Sequence, residues 1–514
     1  MPRKQQLPQI ADENPQLSEL FNDFSTIAGT ETGDLLNFTF ELRRDGGKPN
    51  VYIKKIAGYA AIGNDAGSYG TLAGGIYNTT SGTIKRFVVF DGASNSDIYE
   101  DVSGTWTTAT RSLTAAVDGY FEQYKTVLYY TNGTDAIQKY DGSSWSSLAA
   151  GEPYSGASAV AKYIIEYNNM LILARTANNK NRLWISNAGS PEVATTTFDF
   201  PSEITGLKRL GSFYVVTTEN LTYIMSGVSP DTMTRYKKLN NIGCVSNRSM
   251  VEVEIGGGKE LWFVASDASI RAFNGETSRR IGYEDVQNWF PNLNMGNISK
   301  CAGVFYKGIY HLAVPYSSST YNNKIFTCDP RFNRWVRYDN FQAQFLSTYS
   351  DSGTVYMWFG EASTDGRVWK YPSGFTTQKP SSSTAITKQF ITTNLDGGAP
   401  FLIKKFKKMY AQLKAIGAAN YQVQANIDEL GYAGLRFGNN QSAYISMAAN
   451  NPLWGTAIWG AFTWGGANLV PTPDNRGVIV GRGKLVKYKF TDSQTIGQSE
   501  LYYFQHFYIP KKVR

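Results

Sequence analysis

The sequence predicts an all-β protein: a β-propeller of about seven blades followed by a C-terminal β-sandwich-like domain. Three observations carry this. Aromatic residues make up 14% of the 514 residues and charged residues only 18%, with Gly, Ser, Thr and Asn between short apolar runs. That composition suits strands joined by many turns. Apolar runs recur at near-constant spacing over residues 51–371, and the pattern then breaks at a Pro/Ser/Gly-rich stretch, residues 372–383.

The repeating unit is clearest in Gly256–Gly282. Leu261–Ala265 is a continuous apolar run, as a strand covered on both faces requires. Ser266–Ser269 is a polar turn and Ile270–Phe273 alternates as a second strand. Asn274-Gly275 predicts a tight primed hairpin turn, because both residues tolerate positive φ. Thr277–Ile281 supplies a third strand. A meander this small cannot bury its own faces and needs neighbours of its own kind.

Those neighbours are present. Apolar strands begin at Phe87, Val127, Leu171, Phe213, Leu261, Ile309 and Val355, with gaps of 40, 44, 42, 48, 48 and 46 residues. Two units, FDGASNSDIYEDVSGTW and YTNGTDAIQKYDGSSW, close on Trp106 and Trp145. Several short strands per repeat of this length are the signature of propeller blades. Seven units are counted, and six or eight are compatible because ring ends are atypical.

In chain order, residues 1–50 read as a polar arm with a short helix around Pro15–Phe24. Val51–Ala61 reads as the first propeller strand, followed by the Gly-rich Gly63–Gly75. The linker 372–383 leads into a sandwich over 384–514. Its strands are expected at Thr387–Thr393, Leu402–Ala415, Tyr421–Ile427, Gly477–Val480, Leu485–Phe490 and Ser499–Ile509.

Charge is unevenly placed. Residues 383–514 hold 15 Lys+Arg against 6 Asp+Glu, a balance of +9, whereas the other 382 residues hold 35 and 36. Cys244, Cys301 and Cys328 lie far apart without C-x-x-C spacing, which predicts neither a disulfide framework nor a zinc site. The N-terminal stretch has no apolar core of a secretory signal and no run of about 18 apolar residues occurs. Assembly in the cytosol is the expectation.

No cofactor, metal or catalytic set is expected. The only histidines, His311 and His506, each sit within an apolar strand, and G-x-S-x-G, Walker A and H-E-x-x-H are absent. Asp91, Asn95 and Asp97 lack the glycine and glutamate that complete a calcium loop. Two constellations remain. Lys404, Lys405, Lys407 and Lys408, with Lys484, Lys487 and Lys489, form a candidate basic cluster facing DNA or a partner. On a strand their alternation puts lysines on both faces, and the other reading is a lysine-protected edge. Trp454, Trp459 and Trp464 recur every five residues, each followed by Gly. They suit a loop anchored on a subunit or partner surface, or packing on their own sandwich.

Four stretches resemble the tail nozzle family of short-tailed bacteriophages, also called packaged-DNA stabilisation or tail accessory proteins. They are Arg182–Glu192 (RLWISNAGSPE), Leu207–Gly227, Gly256–Gly275 and Phe326–Asp339 (FTCDPRFNRWVRYD), within a resemblance over roughly residues 160–514. It implies a structural, non-enzymatic subunit of a homohexameric ring in the virion tail. Such a ring lies below portal and adaptor proteins and above needle, fibre or spike components. It continues the channel for double-stranded DNA, which passes without sequence-specific binding, and helps retain the genome until ejection. The alternative expectation is a glycan-binding or glycan-cleaving propeller acting in receptor recognition.

Overall fold

A strand whose two faces are both apolar must be covered on both sides, and the chain meets this demand by placing sheets face to face around an axis. The computed structural model describes residues 17–21, 24–29, 35–45, 48–67, 69–109, 112–148, 160–282, 290–361, 366–373, 385–416, 419–437, 444–447, 476–493 and 498–511. They divide into two units, Tyr59–Pro372 and Met1–Gly58 with Ser373–Arg514.

The first unit is a seven-bladed propeller. Blade 5 runs Val251–Ile255, Gly258–Val264, Ile270–Phe273 and Ser278–Arg280, each strand antiparallel to the one before. The other blades open with Gly70–Asn78, Tyr120–Tyr124, Ala161–Tyr167, Ile204–Leu210, Ala302–Tyr306 and Phe345–Asp351. These first strands neighbour one another around the axis, and blade 7 returns to blade 1.

The seven predicted apolar runs are the second strands of the blades: Ile84–Asp91, Val127–Thr131, Met170–Thr176, Phe213–Thr218, Gly258–Val264, Ile309–Val314 and Thr354–Gly360. Their side chains alternate between two neighbours. In blade 5, Leu261 and Phe263 pack with Val215 and Ile224 of blade 4. Trp262 and Val264 face the other way, against Tyr310, Leu312 and Trp335 of blade 6. Blade 1 does the same, with Phe87 and Val89 toward blade 2 and Val88 and Phe90 toward blade 7.

The turns between first and second strands carry a signature that strand-pattern reading passed over. Lys125, Asn168 and Asn169, Gly211, Gly256 and Gly257, Lys307 and Gly308, and Ser352 and Gly353 all have positive φ there, as two-residue primed hairpins require. The Asn274-Gly275 turn differs from expectation. It spans four residues between Phe273 and Ser278, and only Gly275 has positive φ. Asn274 closes it by accepting the Glu276 and Thr277 amides on its side-chain oxygen, each at 2.9 Å. The side chain does the work that a second positive φ would do.

A tyrosine at the end of several first strands ties each blade to the next. Tyr77 donates to Thr126 O at 2.9 Å, Tyr124 to Asn169 O at 3.2 Å, Tyr167 to Ser212 O at 2.7 Å and Tyr306 to Val355 O at 3.0 Å.

Closure corrects the expected boundary. Val51–Ala61 is not one propeller strand: Lys48–Lys55 belongs to the other unit, and Gly58–Ile62 forms the outer strand of blade 7, beside Val368–Ser373. Tyr59 anchors it, with its ring 4.9 to 5.2 Å from those of Phe341, Phe359 and Trp369 and its hydroxyl donating to Asn340 O at 2.8 Å.

The second unit is a sandwich built from both chain ends. One sheet orders Phe38–Asp45, Lys48–Lys55, Gln498–Pro510, Lys404–Ile416, Arg476–Gly483 and Arg436–Phe437. The other orders Leu35–Leu36, Lys388–Ile391, Val486–Asp492, Ala419–Ile427 and Tyr432–Gly434. Aromatic side chains fill the space between, with Phe390 against Phe24 and Phe38, and Phe490 and Tyr488 against Phe504. The expected arm with a helix at Pro15–Phe24 is therefore corrected. Leu17–Phe21 is a strand on Gln498–Pro510, followed by a single helical turn at Phe24–Ile27. A ready-made ladder outweighs a weak local helix preference. Residues 374–383 of the linker lie outside the described residues.

Tyr167→Phe removes only the bond to Ser212 and is expected to lower unfolding free energy by about 1 kcal/mol. Urea denaturation of the two proteins measures it, with an unchanged midpoint contradicting a stabilising latch.

Candidate functional site

The propeller axis is filled by one arginine. Arg248 lies in the 3-10 turn Asn247–Ser249 between blades 4 and 5, and Asn247 fixes that turn by accepting the Leu207 amide at 2.7 Å. The Arg248 guanidinium reaches the far side of the ring. It donates to Leu72 O in blade 1, to Gly119 O at 3.0 Å before blade 2, and to Gln344 O at 3.3 Å before blade 7. It also pairs with Asp118 at 3.2 Å, whose carboxylate accepts from Gln344 Nε2 at 3.2 Å. The Tyr120 ring lies 5.4 Å from it. Burial alone would lower the Arg248 pKa, but Asp118 reverses that and holds it above the ordinary value.

The first strands leave a cavity of about 360 Å³ beside this residue, lined among others by Gly74, Tyr120, Lys208, Asn247, Glu252 and Ser347. Gly74 and Gly75 have no room for a side chain: a Cβ would come within 2.2 Å of the Phe345 ring and 2.3 Å of the Phe121 ring. Glu252 is the carboxylate of the described lining. Its oxygens accept from Lys259 at 2.6 Å and from the Gly211 amide at 2.7 Å. Two-carboxylate glycoside cleavage needs a second acid a few ångströms away. No local pattern marks Arg248, Asp118 or Gln344, because their partners lie 96 to 226 residues away in sequence.

The seven predicted lysines separate into distinct roles. Lys404 is buried, and its ammonium donates to Ala399 O at 2.6 Å, Lys484 O at 3.0 Å and Leu402 O at 3.2 Å. It knits turns together and faces no solvent partner. Alternation puts Lys404 on the buried face with Phe406 and Lys405 on the opposite one, and a β-bulge then interrupts it. Both ladders shift register between Phe406 and Lys408: Lys407 is the extra residue against Gln498–Pro510, whereas against Arg476–Gly483 the extra residue lies on that strand, between Val478 and Gly481. Phe406 and Met409 then both point inward, and Lys405, Lys407 and Lys408 remain outside the core.

Lys405 lies opposite Arg482 across the ladder, a like-charge pair that costs stability. Lys407 first, then Arg482 and Lys511, push the Lys405 pKa below the ordinary lysine value. Lys484 is exposed in the turn beyond. Lys487 and Lys489 lie on the other sheet, where Lys487 pairs with Glu429 at 2.8 Å and Lys489 sits 5.6 Å from the Tyr432 ring centroid. Trp454, Trp459 and Trp464 lie outside the described residues.

Inside the sandwich, Lys55 and Lys388 share buried Asp492. Lys55 Nζ lies 3.7 Å from Asp492 Oδ2, and Lys388 donates to Tyr421 OH and to Ser499 O at 3.4 Å. Ser499 donates in turn to Asp492, and Tyr421 OH donates to Ser499 Oγ at 3.0 Å. Burial lowers Lys388 to about 7 against the attraction of Asp492, with Lys55 adding repulsion. It lowers Lys55 in the same direction.

The histidines are core residues: burial holds His311 down at about 4, and His506 packs among Phe406, Tyr488 and Tyr508. Asp91 fastens a turn, accepting from Ser96 at 3.0 Å and the Ala116 amide at 2.7 Å. The three cysteines are buried thiols. Among the described residues no helix is long and apolar enough to cross a membrane.

These features define a seven-bladed propeller joined to a two-sheet sandwich. No family model matches the sequence, and neither does any curated protein. Among solved structures, a streptogramin B lyase is 14% identical with a TM-score of 0.39, covering 65% of this chain and 97% of its own. YCF48 bound to a D1 peptide is 13% identical at 0.38, covering 62% and 100%. Sqt1 of Saccharomyces cerevisiae is 8% identical at 0.36, also covering 62% and 100%.

Arg248→Met leaves part-buried Asp118 and three carbonyls without their donor and should lower unfolding free energy by about 3 kcal/mol. A chemical denaturation midpoint at the wild-type value would show that the axis does not depend on it. For Lys388, the folded pKa of about 7 lies below the unfolded 10.5. Between these values the unfolded chain binds more protons, so stability should rise as pH increases from 7 toward 10, and level off below 7. Urea midpoints across that range test this, and Lys388→Met should flatten the slope.

Proposed function

We propose that the chain is a structural virion protein of a short-tailed bacteriophage tail. It forms a ring below the portal and adaptor, continues the DNA channel, and helps retain packaged DNA before ejection. The observation that supports this most is the construction of the propeller as a closed disc, its axis filled by Arg248 and its ring shut by Gly58–Ile62. Such a disc serves as a rigid block for assembly, with DNA passing between subunits and not through the blades. The four resembling stretches fall on blade strands and their turns: Arg182–Glu192 in blade 3, Leu207–Gly227 in blade 4, Gly256–Gly275 in blade 5 and Phe326–Asp339 in blade 6. The partners in this reading are further copies of the chain, portal and adaptor above, and needle, fibre or spike components below. No enzymatic step is assigned.

One observation favours the second reading, a glycan-binding propeller. The cavity of about 360 Å³ beside Arg248 is lined by Lys208, Asn247 and Glu252, polar groups of the kind that orient a small ligand.

Mass photometry and negative-stain electron microscopy, on the chain alone and mixed with the portal–adaptor complex of its virion, decide between them. Rings, six-fold in expectation, are the predicted result. A chain that stays monomeric in both settings and binds cell-surface glycans would overturn the tail reading.

A further inference from the structure

One end of the sandwich is built in a way that the ring reading does not use. Four segments meet there. Buried Lys404 bonds the carbonyls of Ala399 and Leu402 to that of Lys484. Asp428 accepts the amides of Lys484 and Leu485 at 2.8 and 2.9 Å. The Lys511 amide donates to Ile403 O at 2.8 Å. Three turns and the end of Gln498–Pro510 are thus held as one surface.

That surface presents large apolar side chains outward. Phe401 is 87% exposed, Leu430 86% and Ile403 50%. Around them stand Lys405, Lys407, Arg482, Lys484 and Lys511, none of which forms an ion pair with a described residue. The acids at this end are already engaged: Asp428 with two amides, Glu429 with Lys487, and Asp396 with the Gly398 amide at 2.9 Å. Cations at this end therefore outnumber acids, with Lys405, Lys407, Arg482, Lys484 and Lys511 standing against Asp396, Asp428 and a Glu429 already paired with Lys487. The bulge at Lys407 adds to this excess by keeping Lys407 and Lys408 out of the core together.

We infer that this end of the sandwich docks on an anionic lipid surface, Phe401 and Leu430 entering the acyl layer while the surrounding lysines and arginine meet headgroup phosphates. Apolar tips ringed by cations are the arrangement that interfacial binding uses. A nucleic-acid duplex would satisfy the cations but offers no apolar layer for two turn tips. The three turns are bonded to one another before any contact, so little ordering is left for binding to impose.

Vesicle co-sedimentation of the full chain tests it, with phosphatidylcholine alone and phosphatidylcholine mixed with phosphatidylglycerol. Binding is expected only to the mixed vesicles, weakening with salt. Phe401→Ser with Leu430→Ser should each cost about tenfold in partitioning. Lys405→Gln with Arg482→Gln should together cost about twenty-five-fold, on the order of fivefold per cation. Val228→Ser, at a 75% exposed propeller position, should change nothing, and thermal melts confirm that every variant folds. Equal binding to both vesicle types, no sedimentation, or undiminished binding by folded double variants would overturn the inference. So would duplex DNA binding that depends on Lys405 and Arg482 but not on Phe401 and Leu430, in a chain that leaves vesicles untouched.

Discussion

The structure depends on one constraint: a second strand that is apolar on both faces needs a sheet on each side. Leu261 and Phe263 can be covered only by blade 4, and Trp262 and Val264 only by blade 6. No single blade is therefore a stable object, and burial is complete only when the array returns to its start. Blade 7 and blade 1 meet in a cluster of Val88, Phe90, Trp106, Phe345 and Trp358, and Ile62 of the closing strand lies in that same cluster. The tyrosine latches add directed bonds to what is otherwise non-directional packing.

Much of this was legible from sequence. Burial on two faces erases polar alternation, so each second strand appears as a solid apolar run. Seven runs gave seven blades. The sandwich strands were legible too, since Val486–Asp492 alternates buried and half-buried residues along its whole length. What escaped was decided at a distance. Leu17–Phe21 is a strand because Gln498–Pro510 offers it a ladder, and Gly58–Ile62 belongs to blade 7 because a ring needs a last strand. The primed turns were missed because Lys125, Lys307 and Ser352 adopt positive φ without the Asn-Gly spelling that announces it.

The candidate site was less legible, because composition reports how many lysines a segment holds and not what each one touches. Within a short run, Lys404 is a buried donor to three carbonyls, while Lys405 faces Arg482 across a ladder. Lys388 lies deeper still, beside Asp492 and Tyr421. Ordinary strand alternation separates Lys404 from Lys405, and only beyond Phe406 does a bulge break the two-residue period and leave Lys407 and Lys408 outside together. Arg248 makes the same point from the opposite side. Nothing around it in the chain distinguishes it, yet its guanidinium joins blades that are far apart in sequence.

The closing strand has a consequence for how the molecule comes into being. Gly58–Ile62 must wait for its partner Val368–Ser373, some three hundred residues further along the chain, and Lys48–Lys55 waits longer still for Gln498–Pro510. Pairings of such separation form slowly and leave unpaired edges in the meantime. A prematurely terminated copy would carry an open seam in the disc and half a sandwich.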